Sequence, residues 1–552
     1  DCTSIWSGSQ MKDSKKEANH YLGLIKRLTS LGVALSAEKN HEKLLETILS
    51  EAQSISNSDG GTLYIRKGNI LEFAIARTKS LKLSIGGSGN KKINFQPINL
   101  FDDKGNANNS NLASAAVVEK KLICVDDVYS SERFDFSGVK KFDKENNYKT
   151  KSIISIPLLS HNDKAIGCLQ LINPVDEKGN QIIFDKEIQE IMQSLASQAA
   201  VILDNKNLIE AEKNLLESFI KLIAKAIDEK SPYTGDHCVR VPDLTEMIAE
   251  AACKAKEGIL KDFNLTEEEM YELHIAGWLH DCGKVTTPVH IMDKSTKLET
   301  IWDRVDLVKA RFETLKRDAE INYLKQIQLP NADKNLLLEN FKKEISAIED
   351  ELKFIELSNK GGEFMADEKI DRLKKIAGHR LQIGGTETQA LTENEFYNLS
   401  IRRGTLTNEE RKIMEGHMVA TKNMLEALPF PDHLKRVPEY ALGHHERMDG
   451  KGYPKGIKAG TMSFPARMMA IADVFEALTA SDRPYKPAKK LSETMEIIGR
   501  MKKDNHLDPD LVDFFITSKT YLRYAEKYLK SELIDKVDEQ AVLAIKPNPI
   551  KD

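Results

Sequence analysis

Residues 444–454 read HHERMDGKGYP, and residues 276–284 read AGWLHDCGK. The first run sets His444 beside His445, and the second sets His280 beside Asp281. A carboxylate has two oxygens, so Asp281 can bridge two cations. A lone His-Asp pair is weak evidence, but three further stretches join it. His237 lies in SPYTGDHCVRV, His417 in ERKIMEGHMVA and Asp473 in AIADVFEALTA. Each of these residues is expected in an apolar helical context, where an unliganded polar group is costly to bury. Five histidines and two aspartates in this arrangement are hard to explain as core filler and read as a metal site. The histidine count is skewed the same way, with ten of the 13 at or after His237.

The rest of the composition bounds the answer. The chain has 552 residues, 41% hydrophobic and 30% charged, which is ordinary for globular protein and too long for one core. A net charge of -5 gives no reason to expect a nucleic-acid duplex as partner. No stretch is apolar enough to span a bilayer, so no membrane partner is expected. Six cysteines without a CxxC pair make no disulfide framework, and together with the lack of a secretory signal they point to the cytoplasm. Residues 1–10, ahead of Met11, read as a remnant outside the fold.

Working outward, residues 12–57 have helical spacing, broken at Asn40. GGTLYIRKGNILEFAIA, from Gly60, reads as a hairpin turning at Lys-Gly-Asn. Residues 102–111 (DDKGNANNSN) read as loop. LICVDDV, SIISIPLL (152–159) and AIGCLQLIN (165–173) read as strands, giving an α+β region with an antiparallel sheet. From Phe184 to about Ile227 a long helix carries Leu195, Ile202, Ile209, Leu216 and Ile223 every seven residues, which argues for a homodimeric coiled coil. Residues 296–399 are rich in Lys, Glu and Leu. They read as a helical hairpin about Pro330-Asn331, followed by a loop at GHRLQIGGTETQ, and they interrupt the motif series as an insertion.

The run H-D-x-G-K (His280 to Lys284) with H-H-E-x-x-D-G-x-G-Y-P (His444 to Pro454) resembles the signature of HD-GYP domains, as does AIADVFEALTASDRPYK. The resemblance implies an all-α metal-dependent phosphodiesterase for cyclic di-GMP, yielding pGpG and in some cases GMP, with cyclic GMP-AMP as an alternative substrate. A non-catalytic receptor or scaffold is the rival reading. The resemblance covers about 213–295 and 400–530, around the insertion, and the domain's second part is expected over 400–552. Carried over, His237, His280, Asp281 and Asp473 hold one divalent ion, while His417, His444 and His445 hold another with Asp281 bridging. Nitrogen and oxygen ligands without thiolate suit Fe or Mn. Tyr233 stands where a three-metal type has glutamate, so two ions are expected. Lys284 is expected at the scissile phosphate, with a catalytic role alongside Asp281. Arg483 and Lys486 are expected at the second phosphate. Gly452, Tyr453 and Pro454 form a turn that either approaches the substrate or seats the paired histidines. The same loop is a candidate surface for a diguanylate cyclase partner. His274, His290, His379, His433 and His506 match no ligand position.

Residues 40–189 resemble a GAF sensor domain in their order of helix, hairpin, long loop, strand pair and closing helix. This implies a small-molecule ligand or a dimerisation role, with residues 11–39 as a preceding helix and 190–228 as the linking helix. Pro174 replaces the lysine of the cyclic-nucleotide-binding motif after Asn173. Cys124 and Cys168 fall in strands, so no covalent chromophore is expected. The fold class is thus multidomain: an α+β GAF domain, then an all-α HD-GYP domain with a helical insertion.

Overall fold

The computed structural model describes residues 22–23, 26–38, 40–87, 95–230, 236–362, 364–481 and 488–550. Tyr233, Arg483 and Lys486 lie outside them. The chain divides into two compact units, Asp1–Leu215 and Leu216–Asp552.

In the first unit, Asn40 caps helix His41–Ile55 by accepting from Lys43 N, which is the break read in the sequence. Seven strands follow: β1 (Ser58–Lys67), β2 (Ile70–Thr78), β3 (Leu83–Gly86), β4 (Ile98–Asn99), β5 (Ile123–Val125), β6 (Ile153–Leu159) and β7 (Ala165–Pro174). They form one antiparallel sheet in the order β3-β2-β1-β7-β6-β5, with β4 pairing β2. The β1–β2 hairpin turns where the sequence placed it. One face of the sheet packs Leu63, Ile156 and Leu171 against helix His41–Ile55 and against Met192, Leu195 and Ala199 of the long helix. The other face is covered by helix Leu112–Glu119. Asn173 is a structural clamp, since its Oδ1 accepts from Lys151 N (2.7 Å) and its Nδ2 donates to Lys149 O (2.8 Å). Burial pushes the thiols of Cys124 and Cys168 up to about 12, which leaves neither nucleophilic.

The long helix is continuous from Lys186 to Lys230. Among the described residues no helix is long and apolar enough to cross a membrane.

The second unit is helical apart from one correction. The stretch expected as loop at GHRLQIGGTETQ is a β-hairpin, β8 (Arg380–Ile383) with β9 (Thr386–Gln389), turning at Gly384-Gly385, both with positive φ. Helices Val305–Gln326 and Lys334–Asn359 form the expected pair about Pro330-Asn331. Residues 298–399 gather a core of their own around Phe312, Ile355, Leu373 and Leu399. The ends of the segment meet, with Thr405 Oγ1 donating to Lys294 O at 2.9 Å. A larger core holds the remaining helices together through Leu244, Ile275, Met468 and Phe475.

Candidate metal centre

Five helices, through their ends, interiors or following turns, deliver the seven residues singled out above. His237 opens helix His237–Cys253, and His280 ends helix Glu267–Leu279 with Asp281 just beyond. His417 opens helix His417–Glu426, and Asp473 lies inside Phe464–Thr479. The paired histidines are a small correction: they sit in the turn after helix Val437–Leu442, not within it. All seven come together as two groups that share one residue. Asp281 meets His237, His280 and Asp473 on one side, and His417, His444 and His445 on the other.

Asp281 divides its oxygens between these groups. Oδ2 lies 3.4 Å from His237 Nε2 and 3.2 Å from His280 Nε2. Oδ1 lies 3.4 Å from His417 Nε2 and 3.8 Å from His444 Nε2. Asp473 Oδ1 completes the first group, 3.4 Å from His237 Nε2.

Each ring is oriented from behind. Nδ1 of His280 donates to Gly277 O (2.7 Å), that of His417 to Met414 O (2.5 Å), and that of His444 to Ala441 O (2.6 Å). His237 Nδ1 bonds the Glu476 carboxylate, which Arg240 Nε also meets at 2.7 Å. With Nδ1 carrying the proton, Nε2 presents a lone pair inward. The Nε2 atoms of His237, His280, His417 and His444, together with Asp281 Oδ1, are buried with no hydrogen-bond partner. Orphaned acceptors this deep are expensive unless a cation takes them, so the residues fit divalent metal ions. Asp473 and His445 are only half-buried and mark the open side.

The electrostatics divide between the two groups: burial opposes the charged forms of His237 and His280, yet Glu476, Asp281 and Asp473 raise His237 well above the usual value, and Asp281 and Asp473 raise His280 to about 9. Burial lowers His444, with His445 and His280 adding to it, and burial lowers His445 to about 4, so both rings are neutral ligands at neutral pH. Burial opposes the charge on Asp281, yet Lys284 and the imidazoles hold its carboxyl well below the usual range. Burial likewise opposes Glu476, which His237 and Arg240 hold down at about 2.

Two glycines allow the close approaches. A side chain at Gly283 would strike His417 O and Thr421 N, and Gly283 N donates to Thr421 Oγ1 at 2.9 Å. The segment after Asp281 therefore lies directly on the helix that carries His417. A Cβ at Gly452 would collide with the backbone of Glu446 and Arg447. Tyr453 N bonds His445 O (3.2 Å), and the Tyr453 ring stacks on His445 with centroids 4.7 Å apart. Glu446 staples the loop by accepting from Lys455 N (2.7 Å) and Ile457 N (3.0 Å). Gly452 and Tyr453 thus pack directly on His445 and the backbone that follows it.

Lys284 pairs with Asp281 Oδ2, its side chain 20% exposed. Behind it, Lys230 at the end of the long helix donates to Val285 O, Thr287 O (2.7 Å) and Lys284 O (3.4 Å). Sequence reasoning missed Glu476, Arg240, Thr421 and Lys230. Their only signal is chemistry revealed by folding, since none belongs to the histidine series. His274 and His379 pair with Glu246 and Glu351, away from the centre.

The family model for the GAF domain matches residues 40–203, and that for the HD domain matches residues 351–511. The HD match includes His417, His444, His445 and Asp473, and it begins after His237, His280 and Asp281. Among curated proteins, the chain is 36% identical over 116 residues to a cyclic di-GMP phosphodiesterase of Thermotoga maritima, covering 21% of this chain and 31% of that one. It is 46% identical over 81 residues to a cyclic di-GMP phosphodiesterase of Pseudomonas aeruginosa, 14% of this chain and 19% of that one. It is 36% identical over 105 residues to 3'3'-cGAMP-specific phosphodiesterase 1 of Vibrio cholerae, 19% of this chain and 23% of that one. The chain therefore spans a third or less of the length of these relatives. The matches and the His-Asp geometry together identify the chain as a GAF domain joined to an HD domain of the HD-GYP kind.

Proposed function

We propose that the chain is a metal-dependent phosphodiesterase that opens cyclic di-GMP to linear pGpG, and on to GMP where both bonds are cut, under the control of its GAF domain. The observation that carries this reading is Asp281, whose two oxygens face two separate sets of orphaned imidazole nitrogens. His237, His280, Asp281 and Asp473 would hold one ion. Asp281, His417, His444 and His445 would hold the other. Iron or manganese suits this donor set. When bound, such ions lend Lewis acidity to phosphoryl oxygens and lower the pKa of water. The chain's own part is to hold each imidazole by its Nδ1–H, to keep bulk water from the buried side, and to place the Lys284 ammonium where a phosphoryl oxygen would gather charge. Water adds to phosphorus, and the ribose 3′ oxygen leaves with a proton. The relative named for 3'3'-cGAMP supports that hybrid dinucleotide as the second substrate to assay.

Residues 296–399 are best read as an insertion into the HD domain, since their ends meet at Lys294 and Thr405. Homodimerisation through the long helix is supported by its apolar positions Ile209, Leu216, Phe219 and Ile223, which are all exposed in the single chain. The test of the reading is product analysis. Metal-loaded chain is expected to convert cyclic di-GMP to pGpG, and no hydrolysis of any cyclic dinucleotide would overturn it.

A further inference from the structure

Where the inserted segment rejoins the HD domain, a cavity of about 620 Å³ is lined by Phe364, Tyr397, Ile401, Arg403, Thr407 and Arg411, among others. Its size is in the range of small-ligand sites. It lies apart from the seven metal-centre residues, none of which lines it.

The charges around it are unevenly spent. Arg402 is paired with Asp367 at 2.6 Å, the hydroxyl of Tyr397 donates to Glu409 at 2.9 Å, and Glu410 is held by Lys294 at 2.8 Å. Each of these carboxylates already has a partner. Arg403 and Arg411 pair with no carboxylate among the described residues, so two of the guanidiniums that line the cavity carry no ion pair. An unpaired guanidinium is free to take an anion, and its planar fork suits phosphate. Aromatic rings lie beside that charge. Phe364 is 52% exposed and Tyr397 43% exposed, and the Arg403 guanidinium carbon lies 5.5 Å from the Phe364 ring centroid. Exposed ring faces next to an anion site offer a stacking surface for a planar base.

We propose that this cavity is a second ligand site, built jointly by the inserted segment and the helix Asn408–Glu415, and that it binds a purine nucleotide. The phosphate would lie on Arg403 and Arg411, and the base on Phe364 and Tyr397. The helix carrying Arg411 leads directly to His417, so occupancy of the cavity bears on an element that positions a residue of the metal centre.

The test is titration of the full chain with GMP by calorimetry, with inorganic phosphate as a parallel titrant. GMP is expected to bind, and to keep that binding in a His280→Ala/His444→Ala variant, which places it outside the metal centre. Arg403→Ala with Arg411→Ala is expected to weaken GMP on the order of 100-fold. Phe364→Ala is expected to weaken GMP about 10-fold and to leave phosphate unchanged. Both arginines are exposed, and Arg403→Lys with Arg411→Lys supplies a milder pair should the alanine variant fail to fold, with a smaller loss expected. GMP affinity left at the parent value by the arginine pair tested would overturn the proposal. So would phosphate binding as tightly as GMP with no effect of Phe364→Ala. Neither result touches hydrolysis at the metal centre, so failure here is distinguishable from failure of the phosphodiesterase reading.

Discussion

Asp281 is useful because it is small, buried and two-sided. Its neighbours show how much of the centre is made by residues that touch no ligand. Glu476 is 1% exposed and fixes His237 from behind, while Arg240 keeps it ionised. Removing such a partner costs metal affinity, not fold. Glu476→Gln is expected to weaken divalent-ion binding about 10- to 100-fold with the helical spectrum intact, as read by metal titration. Unchanged affinity would show that His237 is oriented by other means. The ligand residues were legible in the sequence because histidines and aspartates in apolar surroundings demand an explanation. Glu476 was not, since a glutamate on a helix is ordinary until folding sets it against His237, 239 residues away in the chain.

Elements differ in the same way. The β1–β2 hairpin and the helix pair about Pro330-Asn331 were legible because turn residues separate long periodic runs. Helix Leu112–Glu119 (LASAAVVE) was not, because it is nearly apolar all round and has no amphipathic stripe to read. The β8–β9 hairpin was missed because its strands are four residues each and polar outward. Within the inserted segment, Arg311 Nη1 meets Glu395 at 2.6 Å, with the two side chains 10% and 2% exposed. Arg311→Met strands a buried carboxylate and is expected to cost the segment about 3–5 kcal/mol, read by hydrogen exchange over residues 298–399. Burial opposes Glu395, but the Arg311 guanidinium holds its carboxyl below the ordinary value. A depressed carboxylate gives its stability fully above the unfolded pKa of about 4.3 and loses it as pH falls through the lower folded value. Acid protection loss in this segment is therefore expected below about pH 4.3 and is expected to be absent in Glu395→Gln. Lys230 is the element-scale counterpart at the centre. Lys230→Met removes one donor shared by three carbonyls beyond Asp281 and is expected to lower turnover about 10-fold, with metal content retained. Turnover equal to the parent would remove Lys230 from the positioning apparatus.

At the scale of the molecule, a site is assembled from segments that begin at His237 and end at Asp473, with a folded segment of about a hundred residues between them. The HD family match begins only at residue 351 and leaves out three of the seven site residues, His237, His280 and Asp281, which the fold brings to the other four. Asp281 carries the account because one carboxylate serves both groups. The direct measurement is metal stoichiometry by elemental analysis alongside cyclic di-GMP turnover, in the parent chain and in Asp281→Ala. The account predicts about two ions per parent chain, loss of both in the variant, and turnover reduced at least on the order of 1,000-fold. A variant that keeps its ions, or hydrolyses cyclic di-GMP at the parent rate, would contradict it.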